Sequence, residues 1–143
     1  MTALVIDASV WVSAADPTDG MSEPSRAFLS RVAARELPIV LPEFAKLEIA
    51  CALARRLRSA EHGRSLTGQM LESPRMSTYS VNRAVLRRAI ELGTRNYLRA
   101  GDALYAAVAR AAEGQLVSWD RELIERAGAL TPDCWIERHS PGR

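Results

Sequence analysis

At 143 residues the chain is long enough for one domain with a single sizeable core, and its 48% hydrophobic and 25% charged content is that of an ordinary globular protein. No run approaches the roughly 18 uninterrupted apolar residues that a membrane span needs. The net charge of +2 is too small to announce nucleic-acid binding by bulk electrostatics.

The start of the chain has no basic stretch before its first apolar run, so no signal peptide and a cytoplasmic location are expected. Every basic residue except Lys46 is arginine. Arginine is the better bidentate phosphate ligand, but coding composition produces the same bias, so it permits phosphate binding without showing it. Cys51 and Cys134 stand far apart with no CxxC and no histidine at ligand spacing. Free thiols are expected, with Cys51 buried among Ala and Leu. His62 and His139 read as surface residues.

In chain order, Leu4-Val5-Ile6 is a short apolar run that reads as a buried strand and ends on Asp7. Residues 10–15 form a short helix, stopped by Asp16-Pro17 and a turn-rich stretch in which Asp16 and Asp19 read as solvated loop acids. Residues 22–35 carry Phe28, Leu29, Val32 and Ala33 at helical spacing. A proline-bracketed strand follows over residues 38–42, then helices over 43–58 and 61–71. Residues 76–81 are a third strand and 82–92 a helix capped by Asn82. The spacing next predicts a helix over 102–112, a strand over 116–119 and a helix over 121–127. Cys134-Trp135-Ile136 reads as a last strand. One domain is expected over residues 1–137, with a frayed tail over 138–143. Strands alternating with helices imply a three-layer α/β fold, a central parallel sheet flanked by helices on both faces.

In a parallel sheet all strands end at one edge, and the helices that follow them begin there. Asp7 ends the first strand and Asp120 the fourth. Asp102 opens a helix, and Glu48 lies in the second turn of the helix after the second strand. All four carboxylates are therefore expected at the edge where such sheets bind ligands. Taken singly, Asp7, Asp102 and Asp120 also read as helix N-caps, and Ser9 as a cap or as a hydroxyl that orders the site. Glu48 has no such alternative. Its helical neighbours Phe44, Ala45, Cys51 and Ala52 cannot pair with it, and a half-buried carboxylate without a partner is costly unless a cation answers it.

Like charges repel by about 1–4 kcal/mol per pair at 4 Å, so a fold does not collect four acids for stability. Oxygen-only ligands suit a hard cation, Mg²⁺ or Mn²⁺, and such ions promote phosphodiester hydrolysis. Arg55, Arg56 and Arg58 read as solvated helix charges with a phosphate-binding flank as the alternative. Tyr105 reads as a core residue, with base stacking as the alternative. Trp135 reads as core.

Four stretches carry a family resemblance: Leu4-Val5-Ile6-Asp7-Ala8-Ser9; Pro42-Glu43-Phe44-Ala45-Lys46-Leu47-Glu48 with Ala52-Leu53-Ala54-Arg55-Arg56; Leu98-Arg99-Ala100-Gly101-Asp102-Ala103; and Leu116-Val117-Ser118-Trp119-Asp120-Arg121-Glu122-Leu123. Together, from Leu4 to Ile136, they resemble a PIN domain, and more narrowly the VapC-type ribonuclease toxins of toxin–antitoxin pairs. The resemblance implies a Mg²⁺- or Mn²⁺-dependent endoribonuclease with Asp7, Glu48, Asp102 and Asp120 as metal ligands and Ser9 as an ordering hydroxyl. It also implies an RNA substrate, a homodimer and a cognate antitoxin that blocks the cleft. Ser118 stands where threonine is more usual. Trp119 is bulky and is expected to narrow the site mouth.

Other acid-bearing α/β folds fit less well. A receiver-type domain needs a lysine at the sheet edge, and Lys46 lies on a helix beside Glu48. A haloacid-dehalogenase-like phosphatase needs Asp-x-Asp where Asp7-Ala8-Ser9 stands. The remaining alternative is a PIN-like module that binds RNA or protein without cutting.

Overall fold

The computed structural model describes residues 2–140. Its strands are β1 (Leu4–Ile6), β2 (Ile39–Pro42), β3 (Met76–Tyr79) and β4 (Gln115–Val117). They form one parallel sheet in the order β3-β2-β1-β4. Eight helices are found among the described residues: α1 (Ala8–Ala15), α2 (Ser22–Ala34), α3 (Ala45–Leu57), α4 (Ala60–Leu71), α5 (Arg83–Asn96), α6 (Ala100–Ala111), α7 (Arg121–Ala127) and α8 (Pro132–Arg138). This is the three-layer parallel α/β fold expected from the alternation of elements.

The path of the chain decides where the site lies. From β1 through β2 to β3 it steps one way across the sheet, then returns to lay β4 against the other side of β1. Parallel crossovers are right-handed, so that reversal puts α5 and α6 on the face opposite α1 to α4. Helix α6 packs over β1, β2 and β4. The reversal opens a crevice between β1 and β4 at the carboxyl ends of the strands. Register pairs Ile6 with Val117, so the next residues, Asp7 and Ser118, come side by side in that crevice.

The core follows from the apolar pattern. Leu4, Val5 and Ile6 are all buried, as a central parallel strand covered on both faces requires. Helix α3 turns Ala45, Ile49 and Leu53 inward at a spacing of four, and all three are fully buried. Trp135 of α8 meets Phe28 of α2 edge-on, with ring centroids 5.3 Å apart. Helices α5 and α6 approach closely because Gly93 has no side chain: a Cβ there would lie 2.9 Å from Ala103 Cβ. That approach sets the depth of α6 and hence of Asp102.

Several expectations are corrected. Cys134-Trp135-Ile136 is the middle of α8 and not a strand. Thr131 caps this helix by accepting from Cys134 N at 3.1 Å, and Pro132 occupies its first turn. The sheet is extended beside β4 only by a bridge from Leu130 to Val117. Cys51 is exposed, because the inward stripe of α3 leaves it on the opposite side. The tail starts later than residue 138: Arg138 closes α8, His139 stacks on Trp135 at 4.4 Å, and Ser140 Oγ donates to Ile136 O at 2.7 Å. Residues 141–143 lie outside the described residues. Asp16 is buried rather than solvated, and Arg56 reaches from α3 to bind both Asp16 and Asp19, at 3.2 and 2.6 Å.

Candidate active site

Strand β1 delivers Asp7 to the edge, where its backbone N–H donates to Val117 O at 3.0 Å. Asp7 caps α1, with its Oδ2 accepting from Ser9 N at 3.4 Å. The same oxygen accepts a 2.8 Å hydrogen bond from Ser118 Oγ. Ser118 Oγ in turn accepts from Asp120 N at 2.9 Å, and Ser9 Oγ accepts from Trp119 N at 3.1 Å. Ser9 and Ser118 hydroxyls lie 3.3 Å apart. Ser118 spends its one hydrogen on the carboxylate, so Ser9 is the donor in that pair. The two serines thus lock the end of β1 to the turn after β4. Ser9 is a helix residue of α1, since the capping position belongs to Asp7.

Glu48 stands half-buried on α3, as its neighbours predict, but it has a distant partner. Tyr105 of α6 donates its hydroxyl to Glu48 Oε1 at 2.9 Å. The Tyr105 ring is fully buried and tilted against Phe44 at 5.7 Å, so it is core and unavailable for base stacking. Burial, and the negative charge of Glu48 and Asp7, push the Tyr105 phenol above its ordinary pKa, so it remains a donor. Asp102 does not cap its helix. Helix α6 begins at Ala100, which places Asp102 in the first turn facing the crevice. Asp120 does cap α7, accepting from Glu122 N at 2.8 Å and from Leu123 N at 3.3 Å. Its other oxygen faces the site.

All five expected residues therefore meet at one edge. A fifth acid, Glu122, joins them. Oxygens of Asp102, Asp120 and Glu122 all lie within 4.8 Å of one another. Arg126 holds Glu122 Oε1 at 3.2 Å, while Oε2 is shut from solvent and accepts no hydrogen bond. The sequence signal for Glu122 was its place two residues after Asp120 at a helix start, where a carboxylate faces the same way as the cap. Arg99 is the second residue missed: it reaches Asp120 at 3.0 Å, Asp102 at 3.4 Å and Glu122 at 3.8 Å. Trp119 does not narrow the mouth. Its indole turns to α2, where Nε1 donates to Ser25 Oγ at 2.7 Å.

The electrostatics mark a cluster short of positive charge. Burial raises the pKa of Asp7 against the opposing hydrogen bonds from Ser118 and Ser9. Burial also raises Glu48 and Asp102; Asp7 and Asp102 repel Glu48, and Asp120 and Asp7 repel Asp102. Tyr105 and Arg99 offset these effects only in part. An all-oxygen donor set, mutual repulsion and a Glu122 Oε2 that accepts no hydrogen bond and meets Arg99 only at 3.8 Å fit a hard divalent cation such as Mg²⁺ or Mn²⁺. Asp102, Asp120 and Glu122 are the residues that would hold it, with Asp7 and Glu48 beside them.

Fold and site together define a parallel α/β domain with a carboxylate cluster at its topological switch point. A model of the PIN domain matches residues 4–129, and the chain belongs to the PIN domain family. Among solved structures it is similar to the Mycobacterium tuberculosis toxin VapC20, described as cleaving the sarcin-ricin loop, with a TM-score of 0.71, 19% identity, and coverage of 85% of this chain and 93% of that one. PAE2754 of Pyrobaculum aerophilum gives a TM-score of 0.72 at 19% identity, over 96% of this chain and 88% of that one. VapBC2 of Rickettsia felis, solved with a DNA fragment from its promoter, gives 0.69 at 15% identity, over 90% and 96%. At these identities the likeness is one of fold. No curated protein matches the sequence.

Proposed function

We propose that this protein is a Mg²⁺- or Mn²⁺-dependent endoribonuclease and the toxin of a VapC-type toxin–antitoxin pair. The observation that carries the reading is the carboxylate cluster in the β1–β4 crevice, which gathers Asp7, Glu48, Asp102, Asp120 and Glu122, with Arg99 reaching the last three. A site that only binds RNA has no use for acids that repel each other and the phosphate backbone.

Bound divalent cations supply positive charge against the phosphate oxygens and ease loss of a proton from attacking water. The chain's own residues do the rest. Asp102, Asp120 and Glu122 would hold a cation from two helix starts, and those helix starts fix the spacing of the three carboxylates. Asp7 is aimed by Ser118 and Ser9, whose hydrogen bonds oppose part of the rise in pKa that burial imposes on it. Glu48, held by Tyr105, completes the charge on the α3 side and accepts a proton from water. RNA would approach this edge with its phosphate backbone toward the carboxylates.

The partners follow from the same charge. A cognate antitoxin would answer these carboxylates with an arginine or lysine from a segment that folds along the cleft. Exposed Leu47 on α3 offers that segment an apolar contact. Assembly as a homodimer and action in the cytoplasm belong to the same reading. Among the described residues no helix is long and apolar enough to cross a membrane.

The test is cleavage of total cellular RNA by purified protein with Mg²⁺ or Mn²⁺, followed by sequencing of the new 5′ ends. Discrete cuts abolished by EDTA and by Asp102→Asn are expected. RNA binding without cleavage under these conditions would select the binding-module alternative.

A further inference from the structure

We propose that Arg99 is the resident cation of this site: its guanidinium holds the place of a divalent ion on Asp102, Asp120 and Glu122, and on displacement it turns to an RNA phosphate. The inference rests on the metal-dependent reading above and adds a residue that reports whether the site is loaded.

Arg99 precedes α6 on extended backbone, and its side chain makes no cap to the helix. Instead it reaches across to the turn after β4. Nη2 lies 3.0 Å from Asp120, and Nε lies 3.4 Å from Asp102 and 3.8 Å from Glu122. These are the three acids whose oxygens converge within 4.8 Å. A divalent cation held by these oxygens would draw on the same negative charge that the guanidinium answers, so guanidinium and ion would compete for the three acids.

Displacement is easy because the arginine is only lightly held. Its side chain is 73% exposed, so water screens each ion pair and receives the guanidinium when it leaves. Asp102, by contrast, is 15% exposed and stays behind with its charge concentrated. Without the ion, Arg99 relieves the repulsion between the acids. With the ion bound, the same guanidinium stands free at the rim, tethered one side chain away from the crevice. A planar fork in that position suits the phosphodiester that the metal draws in.

The test measures Mn²⁺ affinity by electron paramagnetic resonance of the free ion for wild type, Arg99→Gln and Arg99→Lys. Arg99→Gln should bind Mn²⁺ about fivefold more tightly, as loss of two or three exposed pairs allows, and Arg99→Lys should fall close to wild type. RNA binding is then measured in a Glu48→Gln background, where the RNA stays intact. There Arg99→Gln should weaken RNA severalfold with Mn²⁺ present and lower the salt slope by about one, with no change in EDTA. Mn²⁺ affinities of wild type and Arg99→Gln within about twofold of each other would overturn displacement and leave the nuclease reading standing. An RNA loss as large in EDTA as in Mn²⁺ would overturn the hand-off. Failure of both proteins to bind Mn²⁺ would overturn the metal-dependent reading itself.

Discussion

Ser118 and Asp7 are joined by a 2.8 Å hydrogen bond across the seam between the first and last strands of the sheet, although 111 residues separate them. Both are buried, and the same serine oxygen accepts the backbone N–H of Asp120. One hydroxyl therefore ties the two acids on either side of the switch point. Ser118→Ala should cost about 1.5–3 kcal/mol, because it leaves a buried carboxylate short of a donor. Ser118→Thr keeps the hydroxyl and should restore most of that stability. Urea denaturation of the three proteins in EDTA checks it; equal midpoints for Ala and wild type would show that water replaces the serine.

Tyr105 and Glu48 give a second test. Tyr105→Phe removes the donor that holds Glu48 Oε1 and leaves the ring packing in place. Loss of a group that orients a ligand or base weakens metal binding or rate by about 10- to 100-fold. Cleavage should drop by that order while the fold persists. Asp7→Asn, Glu48→Gln and Asp102→Asn should each remove most of the activity, measured as initial rates on one RNA. Wild-type rates from a folded variant would take that residue out of the site.

The metal-free protein should have an unusual pH profile. Asp7, Glu48 and Asp102 have folded pKa values raised by burial, so the native state binds more protons than the unfolded chain between the two sets of values. Stability then falls as pH rises through those folded pKa values. Asp16 and Asp19 act in the opposite sense. Thr18 holds the Asp16 carboxyl below its ordinary value and Arg56 does so for Asp19, so their contribution is present above the unfolded pKa and is lost as pH falls through the folded one. In EDTA the melting temperature should climb from neutral toward mildly acidic pH, then drop on further acidification. Asp7→Asn should flatten the climb, and Arg56→Gln should soften the drop. Identical pH profiles for wild type and Asp7→Asn in EDTA would contradict the raised pKa of Asp7.

Saturating Mg²⁺ should remove the climb and raise stability, by about 2.7 kcal/mol at a hundredfold excess over Kd. Thermal melts at several Mg²⁺ concentrations measure this. Asp102→Asn in EDTA should melt at or above the wild-type temperature, since it removes a repelled charge and no cap.

Inhibition by the cognate antitoxin should depend on Mg²⁺ if a basic side chain fills the cleft. Titration of that partner into the nuclease assay at low and high Mg²⁺ should show weaker inhibition at high Mg²⁺. Inhibition that ignores Mg²⁺ and survives alanine at the partner's basic positions would leave steric covering as the mechanism.

The sequence alone determined the layer architecture and the edge where the acids meet. Apolar runs that stop at Asp7 and before Asp120 mark strand ends, and parallel connection forces those ends to one side. Glu48 was legible through its neighbours, because none within one helical turn can pair with it. Local chemistry misled elsewhere. Cys134-Trp135-Ile136 is too short for its periodicity to separate strand from helix, and the Thr131-Pro132 start signal in front of it decides for helix. Asp102 lost its capping role because α6 begins two residues before it.

Only the tertiary structure decided who faces whom inside the crevice. The partners of Asp7, Glu48, Asp16 and Asp120 come from 111, 57, 40 and 21 residues away. Glu122 joined the cluster, and Trp119 left the mouth, through the direction in which each side chain leaves its turn. Periodicity records which face of an element is buried, and it is silent on rotamers and on the close approach that Gly93 allows between α5 and α6. Strand order and helix register, both fixed by packing across the whole chain, set those distances to within an ångström, and metal and phosphate chemistry depends on distances of that size.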